Sequence, residues 1–178
     1  MSDYLVDEVK ALKLALENEI KSHEFYKEAE KKSQNDLGKK TFAFLAKQEL
    51  GHITKIKKFI TELNENFTHI DIQMESEKDF FEKSKTFFEH TIKHFAQKLK
   101  ADSSDLKAYK VAMEIERSGH DFYKKAYEKA KTKNIKAFFK FLMEQEQLHY
   151  QLLENTYSYM KNPEGFFLDQ ENWNFEGA

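Results

Sequence analysis

A chain of 178 residues with 40% hydrophobic and 34% charged residues, one Pro and five Gly can bury one sizeable core, but it is too poor in turn residues for a β-sandwich and reads as a single all-α domain. Its 29 basic and 31 acidic side chains are interspersed, which excludes the one-signed surface that binds nucleic acid or an anionic membrane. The absence of cysteine excludes disulfides, thiolate metal sites and thiol redox chemistry.

No apolar run approaches the roughly 20 residues of a membrane span, and residues 1–10 lack the apolar centre of a signal peptide, so a cytoplasmic location is expected. The first helix is expected over about residues 4–32, where Leu5, Val9, Leu12, Leu16, Ile20, Phe25 and Ala29 recur near helical spacing. A polar break at Gln34, Asn35, Asp36 and Gly38 follows, with Asp36 expected as N-cap of a second helix over 36–64. That helix buries Phe42, Leu45, Leu50, Ile53, Ile56, Phe59, Ile60 and Leu63. Residues 65–103 read as a crossover with its own amphipathic helix from Glu77 to Lys100. Asp102, Ser103 and Ser104 offer an N-cap for a third helix over 104–131, and a break at Thr132 to Asn134 precedes a fourth over 135–161. The tail, 162–178, carries Phe167, Trp173 and Phe175 and is expected to pack on the body or on a second subunit. A crossover this long can travel the length of a bundle whose two hairpins face opposite ways. The same length permits exchange of hairpins between subunits, so a homodimer, hairpin-swapped in one form, is expected.

Two stretches repeat each other. Glu19, Phe25, Tyr26, Glu49 and His52 recur 97 residues later as Glu116, Phe122, Tyr123, Glu146 and His149 (19 to 116, 25 to 122, 26 to 123, 49 to 146, 52 to 149). What repeats includes acids and imidazoles, so the repeat carries chemistry as well as packing. Glu49 and His52, like Glu146 and His149, are three apart, which places each pair on one helix face. The midpoint between Glu19 and the Glu49/His52 pair falls in the first break, and the corresponding midpoint of the second half falls in the last break. Each hairpin therefore brings one carboxylate and one Glu-x-x-His pair to the same level, roughly 24 Å from its loop. Two half-sites facing each other would hold two metals. Four buried carboxylates without partners would take up protons or bind cations, and two divalent ions neutralise four negative charges. Oxygen and nitrogen ligands without thiolate suit iron first, with manganese or a mixed pair as the alternative.

At these residues the chain resembles the rubrerythrin group of the ferritin-like di-iron carboxylate proteins. The resembling strings are ALENEIKSHEFY and AMEIERSGHDFY, with LAKQELGH and LMEQEQLH. The resemblance implies a ferritin-like four-helix bundle with a long helical crossover between helices 2 and 3. It also implies two iron ions held by Glu19, Glu49, His52, Glu116, Glu146 and His149, with Tyr26 and Tyr123 hydrogen-bonding the ligand carboxylates. The implied activity is reduction of hydrogen peroxide; dioxygen is the alternative oxidant. Rubrerythrins proper usually append a rubredoxin-like domain with a four-cysteine iron site. This chain has no cysteine, so an external electron donor such as a rubredoxin-like protein is expected. Rubrerythrins also carry an extra Glu one turn after the third-helix ligand; here that position is Gly119, and the six-ligand set resembles that of bacterioferritin. A ferroxidase or iron-handling protein is the second expectation, and an interaction protein with purely structural metals the third. His23 and His120, also 97 apart, are expected near the site, as partners of the ligands or as polar residues at the bundle boundary. His69, His90 and His94 have no repeat partner and are expected at the surface.

Overall fold

The computed structural model describes residues 3–64 and 103–163. The expected crossover helix, His69, His90, His94, Asp102 and the aromatic tail beyond residue 163 lie outside the described residues. Among the described residues there are four helices, α1 (Asp3–Lys32), α2 (Asp36–Asn64), α3 (Ser103–Lys129) and α4 (Lys133–Lys161), and no strand. None of these helices is long and apolar enough to cross a membrane.

The breaks are set by side chains that take over the backbone N–H groups a helix end leaves unpaired. Between α1 and α2 the Asn35 side-chain oxygen accepts from Leu37 N at 2.8 Å and Gly38 N at 3.3 Å. Asn35 is therefore the cap, where the sequence reading expects Asp36; Asp36 lies one residue on, in the first turn, where its charge complements the helix dipole. A β-carbon at position 38 would press on Ser33 Oγ, so a larger residue there would have to turn that hydroxyl aside. The second break falls earlier than the sequence suggests: α3 stops at Lys129 and α4 starts at Lys133. The cause is Glu8 on α1, whose carboxylate accepts from Lys131 N at 2.6 Å, Thr132 N at 2.9 Å and Thr132 Oγ1 at 2.6 Å. Asp105 on α3 does the same for the other loop, accepting from Gln34 N at 3.3 Å and Asn35 N at 3.2 Å. Residues 8 and 105, 34 and 131, and 35 and 132 are each 97 apart. Each hairpin's first helix thus caps the other hairpin's loop.

Helices pack most closely within the hairpins α1/α2 and α3/α4, and the hairpins meet α1 against α3 and α2 against α4. Tyr26 reaches Glu116 and Tyr123 reaches Glu19, so residue numbers rise along α1 as they fall along α3. The two helices are antiparallel, which leaves α2 and α3 parallel. The end of α2 and the start of α3 therefore lie at opposite ends of the bundle, about 40 Å apart for helices of this length.

Two apolar clusters fill the bundle. Tyr26, Phe42, Leu45, Tyr109, Ala112 and Leu153 anchor one; Leu12, Ala15, Ile56, Phe59, Tyr123 and Phe138 anchor the other. Phe59 and Phe138 stack with ring centroids 4.5 Å apart. The buried stripe of α1 runs through Glu8, Leu12, Ala15, Glu19, Tyr26 and Ala29. Two residues expected in the core are outside it: Ile20 is 36% exposed and Leu50 51%. The acids Glu19 and Glu49, one position before each, take the inward direction instead.

Candidate metal centre

Between the two apolar clusters lies a layer of six polar side chains, one carboxylate from α1 (Glu19), one from α3 (Glu116), and a Glu-x-x-His pair from α2 (Glu49, His52) and from α4 (Glu146, His149). All six are buried, none more than 5% exposed. They form two groups: ligand-type atoms of Glu19, Glu49, His52 and Glu146 lie within 4.8 Å of one another, and so do those of Glu49, Glu116 and His149. Glu49 belongs to both. Its Oε2 lies 3.4 Å from His52 Nδ1 and its Oε1 lies 3.0 Å from His149 Nδ1. His52 Nδ1 is also 3.3 Å from Glu19 Oε2, and His149 Nδ1 is 3.4 Å from Glu116 Oε2. The two imidazoles stack, centroids 5.3 Å apart.

The donor set fits two hard or borderline divalent cations. Both oxygens of Glu49 and Oε2 of Glu116 are closed off from solvent and lack a well-directed hydrogen bond among the described residues, a costly arrangement for acceptors with no cation to serve. The electrostatics without a cation point the same way. Burial, then the charges of nearby carboxylates, push Glu49 and Glu146 well above the usual carboxylate range. Burial would also raise Glu19 and Glu116, but Glu19 is brought down to about 2 by a hydrogen bond with Glu49 and by His52. Glu116 is lowered chiefly by His149 and Glu146. Each half then pairs one carboxylate with one carboxylic acid. Burial works against a charged His52, yet Glu19 and Glu49 raise it to about 9.

These shifts give the metal-free protein a defined pH dependence. Glu49 and Glu146, raised by folding, contribute stability fully below about pH 4.5 and lose it as pH climbs through their raised values. His52 contributes below about 6.5 and loses its share as pH passes about 9. Glu19, lowered, contributes above about 4.5 and loses its share as pH falls toward about 2. Thermal unfolding in a chelator should therefore give the highest Tm near about pH 4.5, falling steadily toward pH 9. With divalent metal bound the upper limb should reverse, because the cation displaces the protons of the two acids. A Tm in chelator that stays level from pH 6 to 9 would contradict this.

Two phenols cross the bundle to fix the outer carboxylates. Tyr26 on α1 donates to Glu116 Oε1 on α3, and Tyr123 on α3 donates to Glu19 Oε1 at 2.5 Å. Burial and the neighbouring carboxylates hold both phenols well above their ordinary pKa, so they remain donors. The contacts of the two repeat histidines run elsewhere. His23 Nδ1 donates to the Ala46 carbonyl at 2.7 Å, and His120 Nδ1 lies 3.4 Å from Asp121 on its own helix. A step of four residues turns a side chain about 40° from the ligand direction, whereas the seven-residue step to each tyrosine returns it to within about 20°.

Comparisons with known proteins bear on the fold and the family. No curated protein matches the chain. A solved structure of a hypothetical protein from Pyrococcus furiosus aligns with a TM-score of 0.61 at 20% identity, covering 88% of this chain and 92% of that one. At that identity the likeness is one of fold. The sequence profile of the rubrerythrin family matches residues 10–157, a span that contains all six clustered side chains and both tyrosines. With its ferritin-like four-helix bundle, the chain belongs to the rubrerythrin family.

Proposed function

We propose that the six residues hold two iron ions and that the loaded protein reduces hydrogen peroxide to water, drawing two electrons from a separate donor protein. The observation that carries this reading is Glu49, shared by two buried groups of metal-ligating atoms on facing hairpins. Glu19, Glu49, His52 and Glu146 would hold one ion, and Glu49, Glu116 and His149 the other. When bound, an iron pair supplies two one-electron couples side by side, matched to cleavage of one oxygen–oxygen bond. The balance is hydrogen peroxide plus two protons and two electrons to two waters, the donor being oxidised by two electrons. The chain supplies the rest: Tyr26 and Tyr123 hold Glu116 and Glu19 in place, and Phe141, edge-on to the His52 ring at 6.0 Å, closes one side of the layer with apolar surface.

Stopped-flow mixing of the reduced, iron-loaded protein with each oxidant tests the reading. Oxidation by peroxide should be faster than by dioxygen at equal concentration. Oxidation no faster with peroxide than with dioxygen would end the peroxidase assignment. Gly119 favours a second reading, ferroxidase activity with iron as substrate, because it leaves six ligands at the centre. Faster reaction with dioxygen, in a shell of many subunits on gel filtration, would support that alternative.

A further inference from the structure

The four clustered carboxylates are not equally closed off. Glu146 is 5% exposed, Glu19 1%, and Glu49 and Glu116 not at all. The opening that reaches Glu146 is a cleft of about 370 Å³ between α1 and α3, bordered at its inner end by Glu19, Tyr123 and Glu146 and along its walls by Ser22, Ser118 and Gly119. Gly119 explains the depth. A β-carbon at that position would lie 3.1 Å from both Cδ and Oε2 of Glu146, closer than the optimum for non-bonded carbon, and any longer side chain would occupy the cleft. The backbone gives no other reason for glycine, since residue 119 sits inside α3, where glycine is less favourable than alanine. The repeat offers a comparison within the molecule. Residue 119 corresponds to residue 22 (22 plus 97), which is Ser22, and Glu146 corresponds to Glu49; with a side chain at position 22, Glu49 is fully buried.

We propose that Gly119 holds open the port through which divalent cations and oxidants of peroxide size reach the centre, entering on the Glu19 and Glu146 side. The inner end presents the carboxyl groups of Glu19 and Glu146 to an arriving cation, and the space left by the missing side chain keeps the approach to Glu146 open. The port rests on the reading of the six residues as a metal centre.

Cobalt(II) uptake by the metal-free protein, followed by visible absorption after stopped-flow mixing, tests it in wild type, Gly119→Ala, Gly119→Leu and Gly51→Ala. Gly51 serves as the matched substitution, because a β-carbon there meets nothing nearer than Lys55 Nζ at 3.8 Å and gains helix propensity without touching the cleft. Uptake should slow on the order of tenfold or more in Gly119→Leu and by less in Gly119→Ala, as expected for an obstructed entry step. The final cobalt content should match wild type, and Gly51→Ala should load at the wild-type rate. Should Gly119→Leu fail to fold, as judged by helical circular dichroism, Gly119→Ala must still load more slowly than Gly51→Ala. Equal rates in all folded variants, or a lowered final content at an unchanged rate, would overturn the port. A wild-type protein that takes up no cobalt would instead overturn the metal centre, and the port with it.

Discussion

Replacing Glu49 by alanine should remove both metals at once, whereas replacing Glu19 should leave about one. Glu49 faces His52 with one oxygen, at 3.4 Å, and His149 with the other, at 3.0 Å, and it is common to both ligand groups. Glu19 belongs to one group only, so Glu19→Ala leaves Glu49, Glu116 and His149 together. Losing an outer partner of a ligand already costs about 10- to 100-fold in metal affinity, so losing a shared ligand should cost at least about 100-fold for each ion. Equilibrium dialysis with elemental analysis reads this directly. The metal-free fold should respond quite differently. Burial and neighbouring charge favour the protonated form of Glu49 without a cation, so the neutral, nearly isosteric Glu49→Gln should leave the Tm in chelator unchanged or slightly raised. A Glu49→Gln variant that binds two metals would contradict the shared-ligand role, and one that melts in chelator well below wild type would contradict the protonated acid.

Glu8→Ala should be among the most destabilising changes outside the centre, by about 3–5 kcal/mol, because it strips a charged acceptor from three donors at once. Those donors are Lys131 N, Thr132 N and Thr132 Oγ1, all within 2.9 Å. Thr132 stands at the N-cap of α4, and its hydroxyl is committed to Glu8 instead of to its own helix. Removing Glu8 therefore frees the start of α4 as well as the loop that precedes it. The expected fall in Tm is about 10 °C for a chain of this size. Asp105→Ala should cost less, since its two bonds are longer, 3.3 and 3.2 Å, and Glu8→Gln should lie between, retaining an acceptor without the charge. A Tm within about 1 °C of wild type for Glu8→Ala would mark it as an ordinary surface acid.

The sequence made these two features unequally visible. The six clustered residues stand out because identical residue types recur at one offset, and because the Glu-x-x-His spacing has few purely structural uses on a buried helix face. The Glu8 and Asp105 pair obeys the same offset but changes residue type, and amid 31 acids each passes for a solvated side chain. A signal was present: each lies eleven residues, three helical turns, before the first-helix ligand Glu19 or Glu116, hence on the same inward face. The helix ends slipped for the same reason. Asn35, Lys131 and Thr132 have their backbone or side-chain roles decided by partners about 70 to 124 residues away, which local capping patterns do not contain. Hydropathy misplaced Ile20 and Leu50 because it does not register that the buried stripe carries acids. Once Glu19 and Glu49 point inward, the residue after each is rotated about 100° toward solvent. The histidines His23 and His120 share the repeat, yet their hydrogen-bond contacts run to Ala46 and Asp121, so a common offset marks common position in the fold and chemistry must still be argued from direction.

Anomalous diffraction from crystals of the iron- or manganese-loaded protein would locate the ions themselves. Two peaks per chain should appear, about 3.5–4 Å apart, lying between Glu19, Glu49, His52, Glu116, Glu146 and His149 with Glu49 touching both. A map with no peak among these side chains, or with metal bound only at the surface, would contradict the two-metal centre.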